Sequence, residues 1–316
     1  MKPKQDVGIS IPVMVSANAA LIVVYLIVAM GLKPLSIPLS LAAPVWVLSG
    51  VALAAVMVFG YRLLPGVFLG TTAACLWLSH RMVGALPMAA VIGLGSTTAA
   101  AVSALLLLRN AGRRPFDSLI YLIKFILFGA MVGAAVSATI GVLGLTGGRL
   151  TSLSDYPLVW LVWWLGAFGG ILLTTPALLT KSAQAMPGSL PWRRIEQIFA
   201  FLVLLIVNIL LFRHSAEFFG RLLSLHLELL VIPLLLYIAV RFDLFGASLA
   251  VTITAAVSTY FTLQGYGPLL MPTALETMIL TVIYLTIAAV LTLGTAMVFK
   301  ERRGIDVDLL TIPGTD

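Results

Sequence analysis

The ionisable residues with the most chemical potential lie in one stretch, "RHSAEFFGRLLSLHLELL" at positions 213–230. It contains His214, Glu217, Arg221, His226 and Glu228. Imidazole titrates in the physiological range, and together with carboxylates it binds metals or small polar ligands. One interpretation is an extracytoplasmic pocket that senses a proton, a metal or a small ligand. The alternative is a solvated loop whose long side chains reach the membrane interface.

Three indole rings and several glycines occur together in "YPLVWLVWWLGAFGGILLTTP", positions 156–176. Trp160, Trp163 and Trp164 begin this apolar run, and one interpretation is an aromatic belt at the membrane interface. Just beyond them, glycines that include Gly166 and Gly170 leave one side of the helix without side chains. This favours either close helix packing or a cavity roofed by indole rings, which would suit a small amphipathic ligand.

Catalysis inside a bilayer requires convergent ionisable or nucleophilic side chains, and the sequence offers few. Every aspartate falls at a predicted helix end or in a tail, which argues against an intramembrane aspartyl protease. Ser96 has no histidine at its predicted depth, and the three histidines could supply one haem-binding pair at most. The single cysteine, Cys75, excludes a disulfide framework and a thiolate metal cluster. We therefore predict no enzymatic activity, no cofactor and no metal site.

Composition defines the elements that must position these residues. The chain is 61% hydrophobic and 10% charged, against roughly a quarter charged in soluble domains, and its mean hydropathy is +1.11. Because a spanning helix needs roughly twenty residues, we predict an all-α, polytopic transmembrane bundle of about ten helices. The predicted spans are 11–32, 39–59, 63–79, 84–108, 117–144, 158–180, 195–212, 222–240, 244–263 and 274–299. The second and third spans divide near Gly60, Tyr61 and Arg62, with Pro65 in the first turn of the new helix.

Charge placement predicts the orientation of the bundle. With the amino terminus inside, most of the 19 Lys and Arg residues fall in cytoplasmic segments, as the positive-inside rule expects. Both termini are therefore predicted to be cytoplasmic. The net charge of +7 is interpreted as membrane orientation and not as a nucleic-acid footprint.

The last apolar run leads into a basic cluster, Lys300, Arg302 and Arg303, which we predict to face a partner. The following "GIDVDLLTIPGTD" contains glycines and a proline, so we interpret it as an ending and not as a coiled linker. The predicted organisation is a cytoplasmic tail at 1–10, an integral membrane sensory domain at 11–299, and a short cytoplasmic tail at 300–316 without an output domain.

Three segments carry a family resemblance: "PVWVLSGVALAAVMVFGYRLLPGVFLG" at 44–70, "WLVWWLGAFGGILLTTPALL" at 160–179 and "IPLLLYIAVRFDLFGASLA" at 232–250. Together they resemble the first type of bacterial membrane-associated sensor domain, the MASE family, in order and spacing. The matching positions are Pro44, Trp46, Gly50, Gly60, Pro65, Gly66, Gly70, Trp163, Trp164, Gly166, Gly170, Pro176, Pro233, Arg241 and Phe242. The chain departs from the family pattern at Val47 and Leu48, where prolines are expected, and at Ala167, where an aspartate is expected.

The resemblance implies a sensory module of the kind that precedes histidine kinases, diguanylate cyclases or phosphodiesterases. We predict an integral membrane sensory or interaction module that detects a small ligand or a membrane-associated signal and passes it to a signalling partner. The ligand-binding candidates are Trp46, Trp163, Trp164, Gly166, His214, Glu217, His226 and Glu228.

Predicted partners are the lipid bilayer, a small-molecule ligand and a histidine kinase or diguanylate cyclase, with no nucleic acid and with homodimerisation left open. The predicted location is the bacterial cytoplasmic (inner) membrane. The alternative function is a small-molecule transporter or a substrate-binding membrane subunit. It rests on a weak likeness between 39–79 and 222–263, of the kind that parallel transporter repeats show.

Overall fold

The computed structural model describes residues 11–32, 45–79, 85–112, 116, 118–180, 191–214 and 227–310. These residues form an all-α bundle, in which no strand occurs among the described ranges. Its helices are α1 Ile11–Leu32, α2 Val47–Phe59, α3 Leu64–Leu78, α4 Ala85–Asn110, α5 Leu119–Gly147, α6 Tyr156–Leu179, α7 Pro191–Arg213, α8 Val231–Arg241, α9 Leu244–Leu263 and α10 Ala274–Leu310.

Each predicted span coincides with one of these helices, which confirms a helical polytopic membrane bundle. Eight of the described helices are long and apolar enough to cross a membrane. The described part of α2 is shorter, at 13 residues. The start of α8 is preceded by a 3-10 turn at Leu227–Leu230. The first residues of the predicted second and eighth spans lie outside the described ranges.

The break between α2 and α3 lies at Gly60, as predicted. Gly60 has a φ of +81°, in the region that favours glycine, and its N–H donates to Val56 O at 2.9 Å. A 3-10 turn at Tyr61–Leu63 follows, and Pro65 occupies the first turn of α3, where its missing N–H leaves no bond unmade.

The two ends of α10 differ in how closely they follow local sequence signals. At α10, Thr273 Oγ1 accepts from Glu276 N and Glu276 Oε2 accepts from Thr273 N, both at 3.2 Å, and this reciprocal pair is a capping box. At its other end α10 continues to Leu310, past the end of the predicted span at 299. Gly304 lies within this extension, since a single interior glycine costs only about 1 kcal/mol.

Small residues bring α2 and α6 into backbone contact. A side-chain carbon on Gly170 would overlap the Trp46 carbonyl, and one on Gly50 would overlap the Gly170 carbonyl oxygen. Thr175 Oγ1 also donates to Gly50 O at 3.2 Å. The α4–α5 pair is equally close, because a side chain on Gly133 would overlap the Ser103 hydroxyl. These contacts agree with the close packing that glycine-rich membrane helices allow.

Helix α5 changes its winding along its length. Residues Leu119–Lys124 and Val132–Gly147 are α-helical, and Phe125–Met131 between them is π-helical. Side chains of neighbouring helices donate to two carbonyls of this π segment: Ser103 Oγ to Gly129 O at 3.0 Å, and Trp164 Nε1 to Met131 O at 3.2 Å. Short π turns inside α-helices are frequent at functional sites.

Candidate functional site

A small cavity of about 20 Å³, which we call the indole-walled cavity, lies where α2, α3, α4, α5 and α6 meet. Its polar and aromatic lining consists of Trp46, Thr71, Cys75, Ser96, Ser137 and Trp163. A second cavity of about 10 Å³ adjoins it and shares Trp46, Ser96 and Ser137. Each has room for about one water molecule. In this conformation the site is closed, and a larger ligand could enter only if the lining side chains moved.

The chemistry of the described lining residues is neutral. They present hydroxyls, one thiol and two indoles among apolar side chains, and none of these described residues carries a carboxylate, an amine or an imidazole. A charged ligand would therefore lose its hydration without gaining an opposite charge. The site suits a small, uncharged molecule that has an apolar face and one or two hydrogen-bonding groups.

Contacts with α5 fix the position of Trp163. Its Nε1 donates to Ser137 Oγ at 3.2 Å. Its ring lies against Gly141, where an added side-chain carbon would come 2.8 Å from Cζ2. Ser137 and Gly141 are one helical turn apart on α5, so the same face supplies both the hydrogen-bond acceptor and the space for the ring.

Trp46 and Gly166 form the other wall of the cavity. The Trp46 N–H donates to Gly166 O at 2.9 Å, which ties the start of α2 to α6. Both residues line the larger of the two cavities. Ala167 also lines it.

Trp164 faces a different neighbour from Trp163. Its ring stacks between Trp160, at a centroid distance of 6.4 Å, and Phe168, at 5.2 Å, and its Nε1 reaches Met131 O. It is not among the residues that line either cavity. Trp164 therefore contacts the π segment of α5, one position along the helix from the cavity wall.

The predicted polar cluster is described only in part, because Glu217 and His226 lie outside the described residues. His214 directly follows α7, and its N–H donates to Leu210 O at 3.1 Å. Glu228 is buried, with 6% of its surface exposed, and its carbonyl oxygen accepts from the Tyr284 hydroxyl at 3.2 Å. Neither residue lines the indole-walled cavity. Among the described residues no group of three His, Cys, Asp or Glu is placed to hold a metal ion.

The predicted partner-facing residues lie in the second half of α10, beside the start of α5. Lys300 Nζ donates to Phe116 O at 3.2 Å, and Arg302 is exposed. Arg303 lies within α10. Glu301, which the sequence did not single out, accepts from Leu119 N at 3.0 Å through Oε1. Glu301 thus joins α10 to the first turn of α5, and Lys300 joins it to Phe116, just before that helix.

A second group of side chains that was not predicted from the sequence joins α7 to α8. Arg241 makes two hydrogen bonds to Glu196, from Nε to Oε1 at 2.6 Å and from Nη2 to Oε2 at 2.8 Å. The Tyr237 hydroxyl also donates to Glu196 Oε1, at 2.9 Å, and Arg241 lies 5.3 Å from the centre of the Trp192 ring. The available signal was the set of Arg, Trp and Tyr at helix ends, which is typical of a membrane interface.

A bundle of apolar helices around a neutral, indole-walled cavity defines a multi-pass integral membrane protein. The MASE1 family model matches residues 17–303, nearly the whole chain. The chain belongs to the MASE1 family of membrane-associated sensory domains, which confirms the predicted resemblance and supports a role as a membrane sensor. No curated protein and no solved structure matches it.

Proposed function

We propose that this protein senses a small, uncharged ligand in the indole-walled cavity and passes the signal to a cytoplasmic partner through the second half of α10, around Lys300 and Glu301. The observation that carries the proposal is the cavity itself, where Trp46 and Trp163 meet hydroxyls of α4 and α5. Ligand binding would favour an open arrangement of these side chains over the closed one. The proposed partner is a histidine kinase or a diguanylate cyclase.

The route from the cavity to α10 runs through α5. Trp163 donates a hydrogen bond to Ser137 on α5, and its neighbour Trp164 donates one to Met131 O at the end of the π segment. If the π segment relaxed to α-helix, the part of α5 before it would shift by one residue, which is about 1.5 Å along the axis and about 100° around it. That part begins at Leu119, whose N–H donates a hydrogen bond to Glu301 of α10.

The proposed function requires a defined orientation of the helix bundle in the membrane. Helices α2, α4, α6 and α10 begin at one end of the bundle, and the cavity lies toward that end, near the starts of α2 and α6. Lys300 and Glu301 lie toward the other end, with the start of α5. With both termini in the bacterial cytoplasm, the cavity would lie in the outer half of the inner membrane and the output in the inner half.

The test is to purify the full chain from its own host in mild detergent and to identify the bound molecules and proteins by mass spectrometry. Ser96→Leu would fill the cavity, and Thr98→Leu, on the exposed face of the same helix, is its matched control. We expect a small molecule that is retained by the wild type and by Thr98→Leu but is lost from Ser96→Leu, together with a kinase or cyclase in the wild-type eluate.

Other results would contradict parts of the proposal. Equal retention in Ser96→Leu and the wild type would place the ligand elsewhere. A transporter component in the eluate, with saturable uptake by liposomes that contain the purified chain, would favour the carrier function instead. A sensor that only binds its ligand would show no such uptake.

A further inference from the structure

An open pocket of about 510 Å³, which we call the loop pocket, lies where α5 ends and α6 begins. Its polar wall consists of Thr146, Arg149, Thr151, Ser152 and Asp155. Its apolar wall consists of Leu150, Leu158 and Val159. The loop pocket shares no lining residue with the indole-walled cavity, so an inference about it does not depend on the function proposed for that cavity.

The loop pocket lies at the ends of two membrane-spanning helices. Both α5, which ends at Gly147, and α6, which begins at Tyr156, are long and apolar enough to cross a bilayer. Helix α6 has 24 residues and rises about 36 Å, which exceeds the roughly 30 Å of the hydrocarbon core. Tyr156 and Trp160, in its first turns, are residue types that concentrate at the membrane interface. The loop pocket is therefore at the level of the lipid headgroups.

Arg149 and Asp155 give the loop pocket one charge of each sign. Both side chains are exposed, and within the described part of the chain no ion pair joins them. The Arg149 backbone N–H donates to Thr146 O at 3.0 Å, and its guanidinium makes no hydrogen bond to another described residue. The Asp155 carboxylate accepts from Ser152 Oγ at 2.6 Å through Oδ2, and it makes no capping bond to the backbone of α6. Both charges thus have capacity for a ligand.

Two separate charges of opposite sign favour a zwitterionic ligand. A guanidinium forms charge-assisted, often bidentate hydrogen bonds to phosphate oxygens. A carboxylate accepts hydrogen bonds from a primary ammonium group and repels a ligand that carries only negative charge. A quaternary ammonium group has no N–H to donate to it. The charges therefore fit a phosphate joined to a primary amine.

The apolar wall indicates that this ligand is a lipid. Leu158, which is 49% exposed, lies in the first turn of α6, where the helix enters the membrane from the headgroup level. An acyl chain that follows a headgroup in the loop pocket would pass this side chain. We propose that the loop pocket binds one phosphatidylethanolamine, with its phosphate at Arg149, its ammonium group at Asp155 and an acyl chain along Leu158.

The test uses the full chain in detergent micelles that contain equal amounts of phosphatidylethanolamine, phosphatidylcholine and phosphatidylglycerol, and native mass spectrometry counts the lipids retained. We expect the wild type to retain one phosphatidylethanolamine in preference to the other two lipids. Arg149→Gln should reduce its retention about five-fold, the effect of one basic residue at a membrane surface. Asp155→Asn removes both the acceptor charge and the repulsion, so phosphatidylglycerol should then be retained as well as phosphatidylethanolamine.

Two control variants remove the same charges outside the loop pocket. Arg109→Gln changes an exposed residue near the end of α4. Glu276→Gln changes the capping residue of α10 to one that can still accept the hydrogen bond from Thr273 N. Both controls should retain phosphatidylethanolamine with the wild-type preference.

Three results would overturn the proposal. The first is equal retention of the three lipids by the wild type. The second is an equal effect of each control and its matching variant in the loop pocket, because the lipids would then respond to net charge alone. The third is binding of glycerophosphoethanolamine, which has the headgroup but no acyl chains, as tightly as the intact lipid, because the ligand would then be a soluble zwitterion.

Discussion

Glu301 on α10 accepts a hydrogen bond from Leu119 N, at 3.0 Å, across 182 positions of sequence. The N–H of Leu119 belongs to the first turn of α5, where helix geometry leaves backbone donors without a partner. Ser118 Oγ satisfies a second donor of that turn, Tyr121 N, at 3.2 Å. One end of α5 is thus held partly by its own sequence and partly by a residue from the last helix.

Glu301→Ala should fray the start of α5. Removing a side-chain acceptor from a helix amino terminus costs about 1 kcal/mol, and here the loss falls on the first turn. We expect faster amide hydrogen exchange in peptides that cover Leu119–Lys124 and a small decrease in the free energy of unfolding. Arg302→Ala is the control, because Arg302 is exposed on the same helix. An equal effect of the two variants would show that Glu301 has no special role.

Gly170→Ala should disrupt the contact between α2 and α6. The added methyl group would overlap the Trp46 carbonyl, which is backbone and cannot rotate away as a side chain would. Overpacking of this kind typically costs about 1–3 kcal/mol, and the helices must separate to relieve it. The measurement is the free energy of unfolding in mixed micelles.

Gly147→Ala is the matched control for that variant, because nothing lies within 4 Å of the position that its added carbon would occupy. Gly147 lies at the end of α5, and Ala should be neutral or slightly stabilising there. If Gly170→Ala unfolded at the same denaturant concentration as the wild type, the close α2–α6 contact would be refuted.

The hydrogen bond between Trp163 and Ser137 should be measurable as a coupling energy. Trp163→Phe removes the Nε1 donor at the cavity wall, and Ser137→Ala removes the acceptor. We expect each single variant to be destabilised and the double variant to be less destabilised than their sum, by about 0.5–1.5 kcal/mol. Unfolding of all four proteins under one condition gives this value. Strict additivity would mean that the indole and the hydroxyl do not interact.

The ten helices could be predicted because an apolar run long enough to span a bilayer is a property of one segment alone. The break at Gly60 and the capping box at Thr273 and Glu276 were predictable for the same reason, since both depend on neighbours in sequence. The extension of α10 to Leu310 was not, because the glycine at 304 indicates a helix end from sequence, whereas the helix continues through it in the structure.

The cavity could be predicted only in part. Trp46, Trp163 and Gly166 were identified, but the hydroxyls of Ser96 and Ser137 that face them were not, because their role depends on how α4 and α5 are rotated in the bundle. Small residues around Ser137 were consistent with packing alone. Likewise, the Glu196–Arg241 ion pair joins positions 45 apart, so a pattern of neighbouring residues does not predict that these two side chains pair.

The π segment of α5 should depend on Trp164. Trp164→Phe preserves an aromatic ring to stack on Phe168 but removes the Nε1 donor to Met131 O. Of the two described side-chain bonds to carbonyls of this segment, the Ser103 bond to Gly129 O would remain, and α-helical winding should then compete with the π turn. We expect faster amide exchange over Phe125–Met131 and, because α5 is continuous, altered exchange at Leu119–Lys124.

Trp160→Phe separates this effect from the loss of any indole on α6. Trp160 lies one turn from Trp164 and donates to the Thr139 hydroxyl at 3.0 Å, in the α-helical part of α5. Its replacement should leave exchange over Phe125–Met131 unchanged. If both variants gave the same exchange pattern, the indole of Trp164 would be a packing group, and the signal could not pass from α6 to α5 through Met131. If only Trp164→Phe changed the exchange at Leu119, the two ends of α5 would be coupled through the π segment, as the proposed route to Glu301 requires.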